Sequence, residues 1–485
     1  MLFGTATSVL STAITFVGAA TLTVGATGAL AAPAAQLTGA ATATATATSS
    51  LTTAIRPTGA ASATITGAGV LSTTIQFAGA STATVTSTSA LTTAIRFTGA
   101  STATITAAGE LQSGAAQFTG AATATVTGTG ALTTAIRPTG AATATITATS
   151  ALTTAIPLAC SGTAVITASS SLTTAIRFTA APTLAITCTG TLTTAIRFAG
   201  ASTAVITATA GLSGTAAQFT GDSTVTITGA GALTTAIPLI GAGSCTVTAS
   251  SVLSTAIPLA CSVTLTATGS SSLTTAIRFQ AAATASATAT SALSTAIRFT
   301  GASTATITAS AAMDATAAQF LGTANLSITG SGLLTTSIRL VGAGTASVTA
   351  TSDLTTAKPL LSAVTATVTS SGALTTAIRL TGASTATITA NGQMAGTIVL
   401  FTGTATATAT GSGALSTAIS LAGSSTGTIT GTSNLSTQIR LAGQATAVIL
   451  VSADFSTGEK TVVHLTGSYE PAVYLTGSIQ TNVSG

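Results

Sequence analysis

Enzyme chemistry needs an acid or base, a nucleophile or a metal, and this sequence holds few of the groups that supply them. Its 485 residues include one histidine, His464, seven carboxylates and four cysteines. The carboxylates Glu110, Asp222, Asp314, Asp353, Asp454, Glu459 and Glu470 are scattered, so no acid–base pair or metal cluster is spelled out. No serine nucleophile is offered with histidine and acid partners. The reading that follows is a chain that is not an enzyme, with no catalytic, cofactor-binding or metal-binding residue and no cofactor. His464 reads as a surface residue of a terminal segment. Cys160 and Cys261 stand at equivalent places 101 residues apart, Cys188 and Cys245 lie in strand-like runs, and none forms a Cys-x-x-Cys pair. Free, buried thiols are expected rather than zinc ligands.

Three other polar groups invite function. Ten arginines follow an isoleucine in a recurring motif, alternating irregularly with Pro, Gln, Thr and Ser. They form either an interface, bonding carbonyls or carboxylates of a partner, or a solvated stripe. Lys358 sits in an inward apolar slot, where an unpaired ammonium is strongly unfavourable. Asp353 is its nearest partner in sequence, and snorkelling or a local strand shift is the expected remedy. Rows of Thr-x-Thr resemble the ice-binding faces of β-solenoid antifreeze proteins. Three successive copies replace the middle threonine by Val165, Ala185 and Val205, and threonine is simply a good strand former, so a plain outward face is preferred.

These residues are positioned by a repeat. Leu91-Thr-Thr-Ala-Ile95-Arg-Phe97 recurs with variations from Leu10 to Leu435, in 22 slots about 20 residues apart. Twenty slots hold Leu and two hold Met313 and Met394, which marks a packing position. Leu91, Thr93, Ile95 and Phe97 share one face of an extended strand, and most of the thirteen phenylalanines occupy that last slot. A second alternating run, Thr102 to Ala107, places Ala103, Ile105 and Ala107 together and Thr102, Thr104 and Thr106 opposite. No helical period appears. Neither strand can bury its apolar face alone, so the repeats are expected to stack as an all-β β-solenoid of about 22 coils with two short strands per coil. The alternative is a tandem array of β-sandwiches of about 101 residues.

That longer period is real: Arg96, Arg197 and Arg298 are 101 apart, as are Gln117, Gln218 and Gln319. In each glutamine copy one extra residue separates the leucine slot from the isoleucine slot: Leu111 to Ala116, Leu212 to Ala217 and Met313 to Ala318. One extra strand residue is what a β-bulge requires. The repeat shaft is assigned to residues 1–450. Residues 451–485 break the pattern and carry His464, Tyr469, Tyr474 and three of the seven acidic residues, so they read as a C-terminal cap or attachment segment.

Composition excludes other classes. Only 4% of residues are charged, yet no run approaches the ~18 consecutive apolar residues of a spanning helix, so no membrane span is expected. A net charge of +5 spread over the chain is too dilute for a nucleic-acid surface. Weak self-repulsion favours a homo-oligomer. Met1 to Leu30 lacks a basic start and already contains a repeat in register, Leu10 to Phe16, so no signal peptide is expected and synthesis is placed in the cytoplasm.

The segment Gly130-Ala-Leu-Thr-Thr-Ala-Ile-Arg-Pro-Thr-Gly-Ala-Ala-Thr-Ala-Thr-Ile-Thr-Ala148 resembles the repeats of proteins encoded beside the tail genes of tailed bacteriophages and prophages. The resemblance covers residues 1 to about 450. It implies a virion structural protein, a tail fibre or tail-tip appendage, with a homotrimer favoured, other virion tail proteins as partners and a host cell surface as a further one. Location in the virion after release by lysis follows from the same resemblance. The alternative is a surface-binding β-solenoid at the extracellular surface, an adhesin or an ice-binding protein.

Overall fold

The computed structural model describes residues 2–6, 14–158, 162–259, 262–280, 282–361, 363–432, 435–442, 445–451, 462–466, 473–476 and 480–483. It comprises two compact units, Met1–Ser244 and Cys245–Gly485. The chain is all-β, a β-solenoid of about 19 turns, slightly fewer than the leucine slots, of which Leu10 lies outside the described residues.

In the first unit the strand Leu91–Thr98 is followed by a tight turn and the strand Ser101–Ala107. Each pairs in parallel with its equivalent one repeat away. Leu91 lies beside Leu71, Ile95 beside Ile75 and Phe97 beside Phe77, while Ala103 and Ile105 lie beside Ala83 and Val85. Strands that open on the leucine slot thus form one parallel sheet, the leucine sheet, and the others form a threonine sheet. The second unit repeats the scheme: Leu293–Thr300 pairs with Leu273–Phe279, and Ser303–Ala309 with Ala283–Ala289. Tandem sandwiches would need antiparallel hairpins. The pairings here are parallel, and the solenoid is the outcome.

The core lies between the two sheets. Leu91, Ile95 and Phe97 of one are buried with Ala103, Ile105 and Ala107 of the other. Identical residues stack because the period returns them to the same slot. Phe77, Phe97 and Phe118 form a face-to-face pile with centroids 4.9 and 5.2 Å apart, and Phe178, Phe198 and Phe219 form another at 4.9 and 4.8 Å. The second unit has its own pile in Phe279, Phe299 and Phe320, at 4.4 and 4.8 Å. Burying each ring contributes about 2–3 kcal/mol, with about 1 kcal/mol more per stacked pair.

One inward row of the leucine sheet is polar. Thr93, Thr134, Thr154 and their equivalents are buried, and their hydroxyls find no hydrogen-bond partner in the structure. Outside, the turns are laced by hydroxyls: Thr88 donates to the carbonyl of Ala68 at 2.7 Å and Thr149 to that of Thr129 at 2.8 Å. The opposite turn depends on glycine. Gly99 has φ +121°, and a Cβ there would lie 2.8 Å from the Gly79 carbonyl oxygen, because successive turns sit directly against one another.

The three bulges read from the sequence are present as register shifts in Leu111–Thr119, Leu212–Thr220 and Met313–Leu321. Two more occur, in Leu30–Thr38 and Met394–Thr402. Both carry the same signature, since Leu30 to Ala35 and Met394 to Val399 each span five positions. Beyond residue 450, Val462–Thr466 pairs in parallel with Leu435–Ala442, and Val473–Thr476 with Ala445–Val451.

Candidate functional site

The threonine sheet presents a regular outer face. Alternation aims Thr102, Thr104 and Thr106 outward, and the parallel register extends each into a row. Across the six strands from Ala41–Ala47 to Ala142–Ala148, all three outward positions are threonine except Ser62. Val165, Ala185 and Val205 then fall in consecutive strands of the middle row, as the sequence indicated.

On the leucine sheet the outward row after isoleucine holds the arginines. Over part of the first unit, from Gln36 to Arg137, it reads Gln36, Arg56, Gln76, Arg96, Gln117, Arg137, all exposed, with Gln36 beside Arg56, and Arg96 between Gln76 and Gln117. This strict alternation was hidden in the sequence because the bulged coils are one residue longer. Where two arginines are adjacent, Arg177 and Arg197, the Arg197 Nε donates to the Gln218 Oε1 at 2.9 Å in the next coil. The glutamine accepts a charge-assisted bond and offsets the repulsion. The unit's two carboxylates, Glu110 and Asp222, sit in turns and not in this row. A groove of about 420 Å³ runs beside it, walled by Gln36, Arg56, Gln76 and Arg96 on one side and by Thr38, Thr58 and Thr98 on the other.

Lys358 neither snorkels nor displaces its strand. It stacks in register on Ile378, is fully buried, and its Nζ donates to the Thr367 carbonyl at 3.2 Å. Asp353 is not its partner: its Oδ1 accepts the Ala373 backbone N–H at 2.8 Å. The charges on the two flanking strands, Arg339 and Arg379, point outward. Burial without a countercharge lowers the lysine pKa from 10.5 to about 7.

Cys188 and Cys245 are buried free thiols. Burial raises both, pushing Cys245 up to about 12, which leaves little thiolate for reaction. Cys160 and Cys261 lie outside the described residues. The backbone of His464 is paired with Gln438 and Asn482. Among the described residues no group of three or more His, Cys, Asp or Glu side chains comes together, and no helix is long and apolar enough to cross a membrane. The arrangement offers binding surfaces built from repeated rows.

No protein-family model, curated protein or solved structure matches this chain.

Proposed function

We propose that the chain is a non-catalytic structural component of a phage virion, a tail fibre or tail-tip appendage that assembles as a homotrimer and is attached through residues 451–485. The observation that carries this reading is the in-register parallel ladder, in which the same apolar slots pack coil after coil within each unit. Such a ladder ties every coil to the next by backbone hydrogen bonds and makes stiffness the property the repeats secure. The resemblance of the Gly130 to Ala148 repeat to phage tail-associated proteins supplies the setting. The strands Val462–Thr466 and Val473–Thr476 extend the ladder into the attachment segment, which therefore inherits a firm connection to the coils before it. In this reading the protein is made in the host cytoplasm and reaches the virion without secretion.

Light scattering of the native protein tests the assembly. A threefold multiple of the 45.8 kDa chain mass is expected, and a soluble monomer would remove the trimeric fibre. Deleting 451–485 should abolish incorporation into particles, and normal incorporation would remove the attachment role.

A second reading, a surface-binding solenoid, is favoured by the six-strand threonine array, which is more regular than the interrupted row at Val165 to Val205. Thermal hysteresis or inhibition of ice recrystallisation would support its ice-binding form. Their absence at high protein concentration would eliminate that form.

A further inference from the structure

We infer that the Arg/Gln row of the first unit binds a linear acidic polysaccharide carrying one carboxylate per disaccharide. This does not rest on the fibre reading, because it follows from the row's own spacing, charge and groove.

Coils of parallel strands repeat at about 4.8 Å, so Arg56, Arg96 and Arg137, which occupy every second coil, place guanidinium groups about 10 Å apart. An extended pyranose chain advances about one coil spacing per ring. A polymer with a carboxylate on alternate sugars therefore presents its charges at the arginine repeat and its neutral rings at Gln36, Gln76 and Gln117. Each guanidinium offers a planar fork suited to a carboxylate, and each glutamine amide can donate to or accept from sugar hydroxyls. Along Gln36 to Arg96 the opposite wall of the groove supplies Thr38, Thr58 and Thr98, so a chain lying there meets hydroxyls on one side and charge on the other.

The charge is of one sign. The row from Gln36 to Arg137 contains arginine and glutamine and no carboxylate, so the fixed charge along it is positive. Nucleic acid fits less well. Its phosphates recur every ~3.4 Å of rise along a strand, and base recognition by single-strand binders uses aromatic platforms, whereas the phenylalanines of this unit's piles are buried. Phe77, which borders the groove, is buried and offers no ring face to a sugar, so recognition depends on charge, and affinity should fall steeply with salt.

The test uses the full-length protein and an oligosaccharide of alternating glucuronate and N-acetylglucosamine, about eight sugars long, titrated calorimetrically at low ionic strength. Arg→Gln substitutions are structurally conservative because glutamine already occupies the same row. Each of R56Q, R96Q and R137Q should weaken binding about 3-fold, and the triple variant about 30-fold. R177Q/R197Q, outside the alternating segment, should leave affinity unchanged. Equal binding of a neutral oligosaccharide of the same length would overturn the proposal, as would an unaltered triple variant or a comparable loss in R177Q/R197Q. Polyphosphate or single-stranded DNA of equal charge binding as tightly would also overturn it, because generic attraction would then replace matched spacing.

Discussion

Replacing Lys358 by isoleucine, the residue that fills its slot in the coils on either side at Ile338 and Ile378, should stabilise the second unit and remove a specific dependence on pH. In the unfolded chain the ammonium titrates normally at 10.5, whereas in the folded core burial lowers it to about 7. Between those values the unfolded state holds a proton that the folded state lacks. Stability must therefore rise with pH across that window. Below about 7 both states are protonated and the penalty is fully present; above 10.5 both are neutral and it is gone. At ~1.4 kcal/mol per pH unit the window is worth about 5 kcal/mol, or roughly 10–20 °C of melting temperature for a unit of this size. The assay is thermal unfolding of wild type, K358I and K358M from pH 7 to pH 10.5, read as the difference between proteins so that other titrating groups cancel. Both variants should exceed wild type most at pH 7, and the gap should close toward pH 10.5. A gap that stays constant across the window would refute the argument, since it would mean that the amine keeps its charge in the core or is absent from it.

Three further outcomes follow from the packing. Thr134→Val removes a buried hydroxyl that has no partner while keeping the side-chain shape, and should raise stability by about 1–2 kcal/mol in chemical denaturation. Phe198→Ala opens the middle of a three-ring pile and should lose about 3–5 kcal/mol by the same measure, more than the equivalent change at either end of the pile. Gly99→Ala forces a Cβ to within 2.8 Å of the Gly79 carbonyl at a φ disfavoured for L residues, and should lower the melting temperature, whereas Gly67→Ala, with only ordinary contacts to Leu71, should be tolerated.

Much of this was legible in the residues. Alternation over Leu91 to Phe97 and Thr102 to Ala107 assigns each residue to a face without knowledge of the fold, because strand geometry sends neighbours to opposite sides. The extra residue between Leu111 and Ala116 marks its bulge by counting alone, and the same count applied to Leu30 and Met394 finds two more. Lys358 was legible as an anomaly but not as an outcome. Whether its amine escapes to solvent depends on how much structure the neighbouring coils place over it, and the fold encloses it completely.

By itself the sequence determined the two strands of each coil and the face that must be buried, since these depend on local alternation. The tertiary structure decided which residues become neighbours across coils. Parallel register brings Arg96 between Gln76 and Gln117, shuts the Thr93 hydroxyl row inside and closes the core over Lys358. Those contacts join positions about 20 residues apart along the chain, and where a coil carries an extra residue only the pairing of the stacked strands sets the match.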